Sequence, residues 1–348
     1  MSPTASTATP PGTARTRRPA AVRLAWMAAA LGVLALLVIA SVAFGTREIS
    51  VAELFAALGG STETVGEAAV VARIPRTVLA VLIGASLALA GATLQAVTRN
   101  PLADPGILGI STGASLAVVS GIAFAGLVDP VATVFVAIGG ASAAGVFVYA
   151  IGSLGRGGAT PLKLALAGAA TTAALGSLVS AVLLPRVDVM TTFRFWQIGG
   201  VGGATWDRIA LIAPFLAVGA LICGMSARGM NSLALGDDVA TGLGAHVGRT
   251  RMVSAAGALI LCGAATAIAG PIGFVGLVVP HVCRLLVGTD HRWLLPFSAV
   301  TGAALLTGAD IVGRVIARPA EVEVGIVTAL VGAPFFIWIV RRRKVREL

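Results

Sequence analysis

The sequence predicts an all-α polytopic membrane protein of about ten transmembrane helices, and three observations predict it. Of 348 residues, 57% are hydrophobic and only 11% are charged, too little charge to cover a soluble surface. Mean hydropathy is +0.95, and the apolar residues fall in runs matching the roughly 20 helical residues that cross about 30 Å of hydrocarbon. Glycine reaches 44 residues while aromatics stay at 5%. That mixture suits helices that approach through small side chains rather than lipid-facing strands with aromatic girdles. A net charge of +10 would point to nucleic acid in a soluble protein. Here the basic residues gather at the ends of apolar runs, so membrane topology explains them and no nucleic-acid partner is expected.

The elements follow in order. Residues 1–22, opening MSPTASTATPPGTARTRRPA, are rich in Pro, Ser and Thr and carry Arg15, Arg17 and Arg18; they read as a disordered cytosolic tail ahead of one transmembrane domain over 23–345. The run 24–44 is too long for a signal-peptide core and precedes further spans, so it reads as an uncleaved first helix. Further spans are expected at 76–97, 107–127, 130–151, 162–184, 206–226, 250–269, 272–287, 294–313 and 324–340. The eighth is short, with Pro280 inside it and Pro271 at its edge. An even number of crossings puts both termini in the cytosol. Most of the 25 basic residues then lie inside, RRRKVREL included, and the five tryptophans fall near the interfaces.

Two outside segments read as structured: EISVAELFAAL after the first span and DVMTTFRFWQIGGVGG after the fifth, the second too polar to cross. RIPRTVLAVLIGASLALAG and RTRMVSAAGALILCGAATAIAG both place basic residues ahead of a small-residue helix ending in Ala-Gly. By parity these two helices run in opposite directions, as inverted repeats do.

Few residues suggest chemistry. Cys223, Cys262 and Cys283 are single residues in apolar runs, and His246, His281 and His291 lack helical metal-pair spacing, so no metal is expected. GISTG, at 109–113, matches G-x-S-x-G, and His281 in VVPHVCR falls on the same side. An intramembrane serine hydrolase is therefore weighed against small-residue helix packing, which is the commoner reason for such glycines. There is no G-x-x-x-x-G-K-[ST], so any ATP is hydrolysed by another subunit. TRNPLADPG reads as a structural cytosolic turn, and Gln95 as an interhelical hydrogen-bonder.

Two constellations invite a functional reason. ARIPR places Arg73 and Arg76 at the outer mouth of the second span, and ADIVGRVIARP places Asp310, Arg314 and Arg318 at the outer end of the ninth. Arginines there suit bidentate pairing with a docking protein's carboxylates or an anionic substrate, snorkelling to headgroups being the plainer reading. On the cytosolic side, NSLALGDDVATGLGAHVG (231–248) carries a helix start: Gly236, then Asp237 and Asp238 at the positive end of the dipole. Val239 and Leu243 follow one turn apart before Gly242 and Gly244 break the helix. A helix this short does not bury its own apolar face, so a cytosolic partner is expected.

Four stretches, RIPRTVLAVLIGASLALAGATLQAVTRNPLADPGILGISTGAS, LALGDDVATGLGAHVGRTR, GPIGFVGLVVPHVCRLLVGTDHRWLLP and ADIVGRVI with VGIVTALVGAPFFIWIVRRRK, together resemble the FecCD-type permeases of bacterial ABC importers for ferric siderophores and vitamin B12. The resemblance covers about residues 45 to 345, in order, and lies closest to ferric-enterobactin permeases. It implies a vitamin B12 importer-like permease fold in the bacterial cytoplasmic membrane. It also implies a second permease (a paralogue or a second copy), two ABC ATPase subunits and an extracytoplasmic siderophore-binding protein. ATP and Mg would sit on the ATPase, with no cofactor on this chain. Carried over residue by residue, Gly236, Asp237, Asp238, Ala240, Gly242, Leu243 and Gly244 become ATPase coupling contacts. Arg73, Arg76 and Arg314 become receivers of the binding protein's glutamates; Arg318 lies outside that match. The connection around 152–161 becomes part of an inner gate, and spans five and ten line the path. Alternatives are a vitamin B12 or haem importer permease, an ATP-independent secondary transporter, and the hydrolase centred on Ser111.

Overall fold

A computed structural model describes residues 19–106, 108–154 and 161–344. Most of the tail expected over 1–22 and most of the connection around 152–161 lie outside the described residues. Among these, fourteen helices run α1 (Ala20–Ala43), α2 (Val51–Leu58), α3 (Val65–Val97), α4 (Ile110–Ala125), α5 (Pro130–Ser153), α6 (Pro161–Leu183), α7 (Val187–Ile198), α8 (Trp206–Met225), α9 (Ala227–Leu233), α10 (Asp237–Gly242), α11 (Val247–Ala269), α12 (Val275–Val287), α13 (His291–Ile316) and α14 (Val324–Lys344). Each of the ten expected spans has its helix. Seven are long and apolar enough to cross a membrane, and α4, α12 and the Val324–Trp338 part of α14 are shorter apolar helices. α2 and α7 occupy the two outside segments, and α9 and α10 the cytosolic one.

Local signals set several boundaries. Ser50 accepts a hydrogen bond from the Glu53 N–H while the Glu53 carboxylate accepts from the Ser50 N–H, a capping box that starts α2. Thr64 and Glu67 form the same box at the start of α3. That box corrects the expected start at residue 76: α3 begins at Val65 and, at 33 residues, is about 50 Å long. Asp129 caps α5, with Pro130 in its first turn, where the missing N–H costs nothing.

α3 is the central post. Its most apolar stretch is 72% buried, against 6% for α1 at the periphery, and it packs on α13, α11, α12, α8 and α1. Close approach depends on missing side chains. A Cβ on Gly84 would collide with the Gly302 carbonyl of α13, and one on Gly91 with the Gly276 backbone of α12. Gly113 of GISTG sits in the same way against Gly140 of α5, so that glycine serves α4–α5 packing.

α12, at 13 residues, is about 20 Å long, too short to cross alone. Pro280 within it has no N–H to give the Gly276 carbonyl. Gln95 of α3 donates its amide N–H to that carbonyl at 3.0 Å instead, the interhelical role expected from sequence. The three cysteines are free and buried, and no cluster of metal-ligating residues occurs among the described residues.

Candidate functional site

At the predicted outer end, α3 carries Arg73 and Arg76 one turn apart, and α13 presents Asp310 and Arg314 opposite them. The early start of α3 places both α3 arginines within a helix rather than at its mouth, and all three guanidiniums turn inward. Arg73 is 6%, Arg76 9% and Arg314 1% exposed. Asp310 lies between two of them: Arg76 donates from Nε at 3.0 Å and Nη2 at 2.8 Å, and Arg314 approaches with Nη2 at 2.9 Å. Arg76 extends its remaining arm to Glu321 at 2.7 Å, whose side chain is 37% exposed.

Arg73 and Arg314 also finish α1. The last carbonyls of a helix have no partner within it and carry the negative end of its dipole. Arg314 donates to the Ser41 and Phe44 carbonyls at 3.0 and 3.1 Å, and Arg73 to those of Val42, Ala43 and Arg47 at 3.2, 2.9 and 2.7 Å. Arg73 forms no ion pair among the described residues, so its charge rests on carbonyls alone. Arg318 pairs with the exposed Glu48 at 3.2 Å, a contact of little energetic weight. Glu323 lies nearby on the same loop as Glu321, and burial raises its carboxyl above the usual carboxylate range.

At the predicted cytosolic end, Gly236 enters α10 with φ +109°, a conformation glycine tolerates, and the helix starts at Asp237 as the sequence predicts. Asp237, its side chain 44% exposed, is bound by Arg99 just beyond α3 and by Arg251 of α11, the latter at 3.0 Å. Both helices therefore bring opposite ends to one carboxylate, which makes them antiparallel. Ala240 is fully buried and packs within the chain rather than facing the cytosol. Asp238, Gly242, Leu243 and Gly244 are exposed, as is Val239.

Val239 and Leu243, one helical turn apart, are exposed by 52% and 67%, and Leu235, just before Gly236, by 59%. This is an apolar ridge held from behind by two salt bridges. Leu235 lies ahead of Gly236 and outside the helix, so the helical spacing of Val239 and Leu243 does not extend to it. Asn231 was missed from sequence. Its amide donates to Asp290 at 2.7 Å and its carbonyl accepts from the His291 N–H at 2.9 Å, tying the cytosolic segment to the start of α13. Although burial alone would raise the Asp290 carboxyl, the Asn231 amide, the Arg292 N–H and Arg23 hold it below its ordinary range.

The turn between α3 and α4 is structural as expected. Asn100 accepts from the Leu102 N–H at 2.9 Å and Asp104 from the Gly106 N–H at 3.0 Å. Burial pushes the Asp104 carboxyl up to about 6. His281 lies edge-on to Phe335 of α14, ring centroids 6.3 Å apart.

With this geometry in place, comparison with known proteins is specific. The sequence model of the FecCD transport family matches residues 33–342. The "Probable siderophore transport system permease protein YfiZ" of Bacillus subtilis (strain 168) is 45% identical over 298 residues, covering 86% of this chain and 89% of its own. The "Ferric enterobactin transport system permease protein FepD" of Escherichia coli (strain K12) is 43% identical over 317 residues, covering 90% and 94%. Among solved structures, an inward-facing transporter assigned to the metal-chelate ABC type superposes with a TM-score of 0.78 at 26% identity, over 92% of this chain and 99% of that one.

Proposed function

The chain belongs to the FecCD transport family, and on that premise we propose that it is the transmembrane permease subunit of an ATP-driven ABC importer that takes up ferric siderophore complexes across the bacterial cytoplasmic membrane. It is a transporter subunit and not an enzyme. In this reading ATP and Mg are held by two copies of a separate ATPase, and a second permease completes the path. The observation that carries the reading is the apolar, exposed pair Val239 and Leu243, on and at the end of a short helix that Arg99 and Arg251 fix through Asp237, with the exposed Leu235 just ahead of it. A rigid apolar ridge fits a cleft in a partner and transmits that partner's movement, which a mobile loop does poorly. Gly236, Asp238, Gly242, Leu243 and Gly244 are the proposed coupling contacts. Asp237 and Ala240 anchor the helix from within.

The extracytoplasmic binding protein docks, in the same reading, over Arg73, Arg76 and Arg314. Their burial supports an exchange rather than a bare basic patch: an incoming carboxylate reaches Arg76 by replacing the half-exposed Glu321. Arg73 and Arg314 hold the α1 terminus beneath the contact. Relatives with siderophore permease names at 43% and 45% identity support the cargo class.

The test is purification of the tagged chain from its own membranes in mild detergent, with mass-spectrometric identification of what accompanies it. An ABC ATPase should co-purify and be lost, by about tenfold or more, from V239D and L243D, because each places an unpaired charge in a desolvated contact. A chain that repeatedly comes alone, or an ATPase retained in full by both variants, overturns the reading.

A further inference from the structure

We propose that the cavity between the α8–α9 junction and the start of α13 is a binding site for the headgroup of an anionic phospholipid. The cavity has a volume of about 450 Å³ and is lined by Gly224, Met225, Ala227, Arg228 and Arg292. Both arginines are exposed and neither forms an ion pair among the described residues. Asp290, the acid nearest in sequence, accepts from the Asn231 amide and the Arg292 N–H and faces Arg23 at 3.9 Å. Two guanidiniums without ion-pair contacts therefore share one opening, that of Arg292 offset only in part by the charge of nearby Asp290. A phosphodiester matches them, since planar guanidinium forks bind phosphate oxygens pairwise.

What separates a lipid from other phosphates is the surface that leads to the opening. α8 buries Ile209, Ile212, Leu216, Gly219 and Cys223. Its other face exposes Val218, Leu221 and Met225 by 50%, 63% and 76%. Those positions recur at helical spacing (i, i+3, i+7), and the next step (i+10) is Arg228. The stripe thus runs down an apolar transmembrane helix and ends on the basic cavity at its predicted cytosolic end. An acyl chain follows such a stripe while its headgroup meets the arginines at the interface. Glycine and alanine at 224 and 227 leave the opening wide.

The test uses the purified full-length chain with whatever accompanies it, delipidated in detergent and titrated with phosphatidylglycerol, phosphatidylcholine or inorganic phosphate, with bound species read by native mass spectrometry. Phosphatidylglycerol should bind in preference to phosphatidylcholine, and inorganic phosphate at millimolar concentration should leave it in place. Each basic side chain near the surface contributes about fivefold to anionic-lipid affinity, so the double variant R228Q/R292Q should lose about thirtyfold. R228K/R292K, which keeps both charges but not the paired forks, should bind between the unaltered chain and R228Q/R292Q, and shows that the site tolerates substitution. R249Q, on α11, should bind as the unaltered chain does. Equal retention by R228Q/R292Q, displacement by inorganic phosphate, or loss of a co-purifying protein with lipid retained would each overturn the assignment.

Discussion

Arg76, Arg314 and Asp310 show how far a residue's chemistry depends on what faces it. From sequence the two arginines read as outward-facing, yet the structure buries both of them with Asp310 and sets that one carboxylate between two guanidiniums. Such a cluster is stable only as a unit, because removing one partner strands a desolvated charge. D310N should therefore destabilise the protein by about 3–5 kcal/mol, seen as a fall in the thermal unfolding midpoint in detergent. E321Q, acting on a half-exposed partner of the same Arg76, should cost far less. Equal losses would mean that Asp310 is not the centre of the network. The Arg–Asp pairing was not legible in advance: residues 76 and 310 are separated by most of the chain, and no local pattern links them. Only the i, i+4 spacing of Asp310 and Arg314 was visible.

At the scale of elements, apolar runs located every span, but two elements needed more. α3 starts eleven residues before the predicted position, because an apolar-run template stops at Arg76 while the helix continues outward to the Thr64–Glu67 box. That box was a readable signal, Thr with Glu three residues on. α12 carries a proline whose cost the sequence showed, although its remedy lay on another helix, in Gln95 of α3. Q95L should leave the buried Gly276 carbonyl unpaired and cost about 1–3 kcal/mol. P280A in the same background should restore the missing helical N–H and recover much of that loss. A melting temperature unmoved by Q95L would show that the carbonyl is satisfied otherwise.

Across the whole molecule, α13 joins the two faces. Its first turn is held by Asn231 of the cytosolic segment, and its last turns carry Asp310 and Arg314 of the outer network. At 26 residues it is about 39 Å long, and Gly302 locks it against α3 at Gly84 midway. A rigid rod gripped at both ends passes displacement better than a chain of loops. If transport is driven through this segment, N231L should lower uptake several-fold, the scale of a coupling of about 1 kcal/mol, while ATPase association stays unchanged. Loss of both together would place Asn231 in the contact itself rather than behind it.

The sequence by itself determined the class of molecule, the order of its ten apolar helices and the start of the short helix after Gly236. All of these follow from local composition: apolar length, flanking charge, and a glycine before two acids. Tertiary structure alone decided which side chains face outward. Ala240, inside a segment read as a contact surface, is buried, and the outer arginines serve Asp310 and the end of α1 before they serve any partner. The physical reason is that a buried charge or an orphaned carbonyl must find its partner wherever the fold puts one. In this chain those partners lie on helices far apart in sequence.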